Sequence, residues 1–210
     1  MLKILIADDH PVFLRGLRQI LAETPDINVT GEAANGWEVL SQVRAGNYDL
    51  VLLDITMPGM TGIEVLNQLK KERPDLPVLV LTAHPEEQYA VRALKAGAAG
   101  YLTKESAPDE LVAAVRKVSR GGRYVSAALA DELASYIQNS DEKSLPRNLS
   151  NREYQVLRLL CSGQTVAAIA RDLSLSAKTV STYRSRLLKK TAMKNLAGLI
   201  RYAVANRLVD

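Results

Sequence analysis

Short runs rich in Val, Ile and Leu at residues 3–7, 50–53 and 78–81 are continuous rather than alternating, with weaker versions at 27–33 and 100–103. Runs of this length without polar alternation predict strands covered on both faces, as in a parallel sheet. Between them, apolar residues recur at helical spacing over 12–22, 37–45, 62–72, 86–96 and 108–120. In the first of these the apolar set is Val12, Leu14, Leu17, Ile20 and Leu21. Asn35-Gly36, Gly46-Asn47, Pro58-Gly59 and Pro74-Asp75 mark turns between the segments. Strand and helix alternate five times, which predicts a doubly wound α/β domain: a five-stranded parallel sheet between two layers of helices.

Beyond residue 125 the strands stop. Leu129, Leu133 and Ile137 recur every four residues and predict a helix over 125–138. The polar, Pro-containing stretch 139–148 reads as a linker. Ser150-Asn151-Arg152-Glu153 has the form of a capping box and opens a helix over 151–162, which Gly163 ends. Further helices are predicted at 165–173, at 177–190 with Ser176 as its cap, and at 196–206. The chain therefore divides into an α/β domain at 1–122, a connecting segment at 123–147, and a small all-α domain of four helices at 148–210.

Charge separates these parts further. The net charge is +4, but residues 1–125 carry 14 basic and 16 acidic residues, 126–147 carry 2 and 4, and 148–210 carry 11 and 3. The last segment stands at +8 by itself, which implies a polyanionic partner for that end only. No apolar run approaches the roughly 20 residues a membrane span needs. The N-terminus meets Asp8 and Asp9 too early to be a secretory signal. The single cysteine, Cys161, excludes an internal disulfide framework and reads as a small core residue on its helix. The expectation is a cytoplasmic protein with no membrane partner.

Acidic residues gather where predicted strands end. Asp8 and Asp9 close the first strand and Asp54 the third; Thr82 ends the fourth and Lys104 the fifth. Parallel sheets form ligand sites outside the carboxyl ends of their strands, so carboxylates remote in sequence meet in one crevice. Carboxylates held together repel unless a cation lies between them. Oxygen ligands with room for water suit Mg2+. A carboxylate nucleophile, a metal, an ammonium and a hydroxyl together can stabilise a phosphoryl group in transfer, and Asp is an established phosphoacceptor. Taken singly, Asp8 and Asp9 would serve as helix N-caps, Asp54 as a turn residue and Lys104 as a solvated charge. Five residues at four strand ends favour the joint reading. His10 and His84 lack the Cys/His spacing of a metal site and read as structural or solvent-facing, with His10 beside the pocket.

The set Asp8-Asp9, Asp54-x-x-Met57-Pro58-Gly59, Thr82-Ala83 and Tyr101-x-x-Lys104 resembles the receiver domain of two-component response regulators, over about residues 1–122. The resemblance implies a flavodoxin-like fold with Asp54 as phosphoacceptor. It implies Mg2+ held by Asp8, Asp9, Asp54 and the main-chain carbonyl of Thr56. Thr82 becomes the switch hydroxyl, Tyr101 the switch aromatic, and Lys104 the contact to the phosphoryl group. The implied phosphodonor is a sensor histidine kinase. The implied chemistry is phosphate acceptance and self-dephosphorylation without turnover of a metabolite, so not an enzyme in the usual sense. Many receivers follow this lysine with Pro, whereas Glu105 stands here. A haloacid-dehalogenase-like phosphohydrolase needs a second Asp two residues after its nucleophile, and position 56 is Thr.

In the last domain, Val166, Ile169, Ala170 and Leu173 face inward at helical spacing, and a short turn leads to the next helix. That helix sets Val180, Tyr183, Leu187 and Leu188 on its core face. Lys178, Ser181, Thr182, Arg184, Ser185, Lys189 and Lys190 lie on the other. A short turn into a basic second helix predicts a helix-turn-helix. The basic face suits phosphates, and the hydroxyls near its start, Thr179 included, suit base edges.

With Leu149-Ser150-x-Arg152-Glu153, Val156-Leu157, Gly163, Ile169-Ala170, Leu173, Ser176-x-Lys178-Thr179-Val180 and Lys189-Lys190, residues 148–210 resemble the LuxR-type helix-turn-helix domain. The whole chain resembles the NarL/FixJ family of response regulators. This implies double-stranded promoter DNA as partner, read on two-fold sites by a homodimer formed when phosphorylated or DNA-bound. The last helix carries an apolar stripe, Leu196, Leu199, Ile200, Ala203 and Val204, which by itself suits packing on the other three helices; the resemblance implies that part of it, Leu196, Leu199, Ile200 and Ala203, also forms the dimer contact. Gln155 stands where many relatives carry a second Glu, and Ser181, Thr182 and Ser185 stand where some carry Lys. The base preference therefore does not carry over.

Overall fold

The structure, a computed structural model, describes residues 1–83, 86–127, 129–131 and 149–205. His84, the part of the predicted 125–138 helix that carries Leu133 and Ile137, most of the connecting segment, Asn148 and Asn206 lie outside the described residues. The chain forms two compact units, Met1–Asn139 and Ser140–Asp210.

The first unit runs β1 (Leu2–Ala7), α1 (Pro11–Ala22), β2 (Ile27–Ala33), α2 (Gly36–Ala45), β3 (Leu50–Leu53), α3 (Gly62–Glu72), β4 (Val78–Thr82), α4 (Glu86–Lys95), β5 (Gly100–Thr103) and α5 (Ala107–Ser119). The strands form one parallel sheet in the order β2-β1-β3-β4-β5. Side chains alternate between the faces of a strand. Ile4, Ile6, Leu50, Leu52, Leu79, Leu81 and Leu102 therefore project to one side, where they join Leu17 and Leu21 of α1 and Leu111, Val115 and Val118 of α5. Leu5, Ala7, Val51, Leu53, Val80 and Tyr101 are equally buried on the other side, that of α2, α3 and α4. A fully buried Leu or Ile stabilises by about 1.5–3 kcal/mol relative to exposure. Two such faces account for the lack of polar alternation in the strands.

In α1 one residue of the expected apolar set lies outside the core. Val12 is 76% exposed, because it lies five residues before Leu17. At 3.6 residues per turn that is roughly 140° around the helix from the core. Leu17 and Leu21 carry the burial of α1 instead.

β2 lies on one side of β1 and β3 on the other. The direction of sheet growth therefore reverses between β1 and β3, and a crevice opens beyond their carboxyl ends. Asp8, Asp9 and Asp54 follow these two strands.

The second unit is helical: α6 (Asn151–Cys161), α7 (Val166–Asp172), α8 (Ala177–Lys190) and α9 (Leu196–Ala205). Ser150, Thr165 and Ser176 open the first three, each hydroxyl accepting from the backbone N–H three residues on. Such a cap is worth about 1 kcal/mol. The expected capping box of Ser150 and Glu153 is complete. Val156, Leu157, Leu160, Ile169, Val180, Leu187, Leu199 and Ala203 fill the core of this unit. Cys161 is half-buried rather than core, and burial pushes its thiol above the ordinary value.

Candidate functional site

The strand ladder carries the first site. The Asp8 N–H donates to the Ala33 carbonyl at 3.0 Å and the Asp54 N–H to the Ala7 carbonyl at 2.9 Å. The Lys104 N–H donates to the Thr82 carbonyl at 2.8 Å. Each chemical residue is thus fixed by the last rung of its strand. The turn after Asp54 presses close to it. The Gly62 N–H donates to the Ile55 carbonyl at 2.8 Å, and a β-carbon on Gly62 would stand 2.0 Å from the Asp54 carbonyl oxygen. Thr61 and Glu64 then start α3 with a reciprocal capping box.

Asp8 and Asp54 are buried, Asp54 to 3% exposure. Lys104 bridges them, with Nζ 2.5 Å from Asp8 Oδ2 and 2.8 Å from Asp54 Oδ2. Burial pushes the Asp54 carboxyl above its ordinary value against the pull of Lys104. Burial acts the opposite way on Lys104, but the Asp54 and Asp8 carboxylates outweigh it and hold the ammonium above its ordinary value. The Thr56 N–H donates to Asp54 Oδ1 at 3.2 Å. Thr82 is fully buried, and its hydroxyl faces the Asp54 carboxylate, which it helps to stabilise from beyond ordinary hydrogen-bond distance. Its register partner is Thr103, and Val80, two residues earlier on the same face, pairs with Tyr101. Tyr101 and Thr82 therefore share one face of the sheet, with the Tyr101 side chain fully buried.

The N-cap of α1 is His10, whose own side chain makes no capping hydrogen bond, while Asp8 Oδ1 accepts the His10 N–H at 2.9 Å. The His10 imidazole Nδ1 lies 3.0 Å from Asp8 Oδ1 and 2.8 Å from Asp9 Oδ1. Asp8, Asp9, His10 and Asp54 offer ligand atoms within 4.8 Å of one another. Three carboxylates, with Asp9 half-open to water, form an oxygen donor set compatible with a hard divalent cation. Phe13, which sequence periodicity places in a helix without assigning it a role, also reaches this site: its ring centroid is 4.6 Å from Lys104 Nζ. Gly62 was equally silent, although Thr61-Gly62-Ile63-Glu64 has the spacing of a cap.

The second site is the outer face of α8. Lys178, Ser181, Thr182, Arg184, Ser185, Lys189 and Lys190 are exposed there, and Arg186, also exposed, adds a cation beyond the expected set. Thr182 and Ser185 donate their hydroxyl protons to the carbonyls of Lys178 and Ser181, four residues back. Facing outward they are acceptors. Thr179 is half-buried and its hydroxyl lies 2.8 Å from that of Ser176, within the cap. Lys190 turns back to the domain, with Nζ 2.6 Å from the buried Glu153 carboxylate. The turn before α8 is tight: Ser174 adopts φ +53°, and the Leu175 N–H donates to the Ala170 carbonyl at 2.8 Å.

The expected dimer contact needs correction. Leu199 and Ala203 of α9 are fully buried against the unit's own helices, so they pack the core and offer no surface. Leu196 and Ile200 are half-buried, and Val204 is 52% exposed. The outward apolar stripe is therefore Leu196, Ile200 and Val204. No helix among the described residues is long and apolar enough to cross a membrane.

Comparison with known proteins agrees with this geometry. Residues 4–116 match the family described as the response regulator receiver domain. Residues 147–203 match the bacterial regulatory proteins of the luxR family. The response regulator UvrY of Escherichia coli is 36% identical over 211 residues, covering 100% of this chain and 97% of that protein. The response regulator GacA of Pseudomonas aeruginosa is 36% identical, covering 100% and 99%. Among solved structures, the response regulator RcsB of Salmonella typhimurium aligns with a TM-score of 0.69 at 27% identity, over 98% of each chain. RcsB of Salmonella enterica serovar Typhimurium bound to the promoter rprA with the phosphomimetic BeF3- aligns with a TM-score of 0.64 at 27% identity, over 96% of this chain and 97% of that one.

Proposed function

Because the chain belongs to the NarL/FixJ family of DNA-binding two-component response regulators, we propose that it is switched by phosphorylation of Asp54 and regulates transcription as a dimer on promoter DNA. The observation that carries this reading is the buried Asp8–Lys104–Asp54 bridge, with a buried Thr82 hydroxyl directed at the same Asp54 carboxylate. A sensor histidine kinase supplies the phosphoryl group. An Asp54 carboxylate oxygen forms the new O–P bond, and the electron pair of the broken bond leaves on the donor nitrogen. Asp8, Asp9, Asp54 and the Thr56 carbonyl would hold Mg2+, which when bound would supply positive charge to neutralise the transferring group.

Lys104 then exchanges a carboxylate oxygen for a phosphoryl oxygen. Thr82, one strand away, turns its hydroxyl from the Asp54 carboxylate to the phosphoryl group. That movement vacates space on the face it shares with Tyr101, which biases a two-state equilibrium of the β4–β5 edge. Hydrolysis of the acyl phosphate resets the switch, and no metabolite is turned over. In the second unit, Lys178, Arg184, Arg186 and Lys189 contact phosphates, and Ser181, Thr182 and Ser185 face base edges. The protein acts in the cytoplasm, where kinase and chromosome are both within reach.

The test is DNA affinity measured by fluorescence anisotropy on a two-fold duplex selected by the protein. Acetyl phosphate with Mg2+ should tighten binding by the wild type and leave Asp54→Asn unchanged. Equal tightening of both would contradict the reading.

A further inference from the structure

Lys104 has a third neighbour besides the two carboxylates. Its Nζ lies 4.6 Å from the centroid of the Phe13 ring. Phe13 stands in the first turn of α1, half-buried, and packs against the core between α1 and α5. The face of an aromatic ring attracts a cation without offering a carboxylate or lone pair to compete with a phosphoryl oxygen. The ammonium is thus held by Asp8 Oδ2 at 2.5 Å, by Asp54 Oδ2 at 2.8 Å and by the ring.

In the reaction proposed above, two of these three holds are withdrawn. Asp8 would be shared with a divalent cation, whose charge would repel the ammonium. Asp54 gives up carboxylate charge when it takes the phosphoryl group. The ring keeps its hold throughout. A saturated side chain of similar size would fill the same core space and exert no such pull, so packing alone does not account for an aromatic face over the ammonium.

We propose that Phe13 is a positioning residue for Lys104: its ring keeps the ammonium at the crevice while the carboxylates change partners, so that the lysine meets the incoming phosphoryl oxygen. The inference rests on the phosphoacceptor reading of Asp54. Phe13 itself makes and breaks no bond.

The experiment uses the full chain as wild type, Phe13→Leu, Phe13→Tyr, Lys104→Met and the Phe13→Leu/Lys104→Met double variant. Each is phosphorylated with acetyl phosphate at saturating Mg2+. Phe13→Leu should slow phosphorylation by about 3- to 10-fold, the range a partly buried cation–π contact supports, and Phe13→Tyr should return to within about 2-fold of wild type. Phe13→Leu should add no further loss once Lys104 is Met. A second readout is independent of phosphorylation. With Mg2+ present, Lys104 should react with an amine-acylating reagent several-fold faster in Phe13→Leu than in wild type or Phe13→Tyr, read by peptide mass spectrometry. Wild-type rates and labelling in Phe13→Leu overturn the proposal, as does an equal slowing in the presence and absence of Lys104. A wild type that takes up no phosphate overturns the phosphoacceptor reading itself, and the positioning role falls with it.

Discussion

Lys190 shows how a basic residue on the exposed helix differs from a DNA contact. Its ammonium lies 2.6 Å from Glu153 Oε2, and the same carboxylate oxygen accepts the Ser150 N–H at 2.7 Å. Glu153 is 2% exposed, while the Lys190 side chain is 40% exposed. Removing one partner of a buried ion pair costs about 3–5 kcal/mol. Here the lysine end is open to water and Ser150 still serves the carboxylate, so Lys190→Met should cost only about 1–2 kcal/mol of stability in the second unit. Burial raises the Glu153 carboxyl, but donors from Lys190 and Ser150 outweigh it and hold the group below its ordinary value of 4.5. The stabilisation is therefore fully present above that value and is lost as pH falls through the lowered one. The gap between wild type and Lys190→Met should close in acid.

Lys178 has no such carboxylate partner among the described residues. If it touches a phosphate, Lys178→Met should reduce the slope of log affinity against log salt by about 0.9. Between 50 and 200 mM salt that is about a 3.5-fold smaller loss of affinity. Lys190→Met should leave the slope at the wild-type value. Anisotropy titrations across a salt series read the slopes, and hydrogen exchange of the peptides covering α6 and α8 reads the stability. A Lys190→Met slope that falls as far as that of Lys178→Met would refute the argument from ion pairing.

Three further outcomes are expected. Hydrogen bonds from Arg44 and Gln68 hold the Glu72 carboxyl down at about 2. The pair's contribution is present above the ordinary value of 4.5 and lost as pH falls toward 2. Arg44→Met should raise the Glu72 titration in carbon-detected NMR, and an unmoved titration would show that Arg44 is not the cause. Gly62→Ala places a β-carbon against the Asp54 carbonyl, so it should destabilise the first unit by about 2–4 kcal/mol in thermal unfolding, and a wild-type melt would refute the close approach. Leu199→Ala should cost the second unit about 2–4 kcal/mol, whereas Val204→Ala should change its stability by less than about 0.5 kcal/mol and weaken dimeric DNA binding. The opposite pattern in denaturation and gel-shift assays would return the dimer contact to Leu199.

The carboxylates, the switch hydroxyl and the lysine of the receiver site were legible because each stands at or just after the end of a strand. Uninterrupted apolar runs mark where strands stop, and the parallel topology brings those ends together. Asp8, Asp54, Thr82 and Lys104 needed only that rule. Phe13 was not legible, since an aromatic residue in a helical pattern counts as core until its distance to a lysine 91 positions later is seen. Gly62 needed the backbone position of Asp54. In the second unit, periodicity groups Leu196, Leu199, Ile200, Ala203 and Val204 onto one stripe. It does not say which edge of that stripe meets the unit's own helices, and packing assigns Leu199 and Ala203 inward. Lys190 reads as a surface charge because its acid stands 37 residues earlier, at the start of another helix.

The central claim is that Asp54 is the phosphoacceptor and that its chemistry governs DNA binding. The most direct measurement is the site and stoichiometry of acid-labile phosphate on the full chain after incubation with acetyl phosphate and Mg2+, trapped with borohydride and located by peptide mass spectrometry. The account predicts one phosphoryl group, on Asp54, absent from Asp54→Asn and from wild type incubated with a chelator. A phosphoryl group carried by another residue, or incorporated equally into Asp54→Asn, would contradict it.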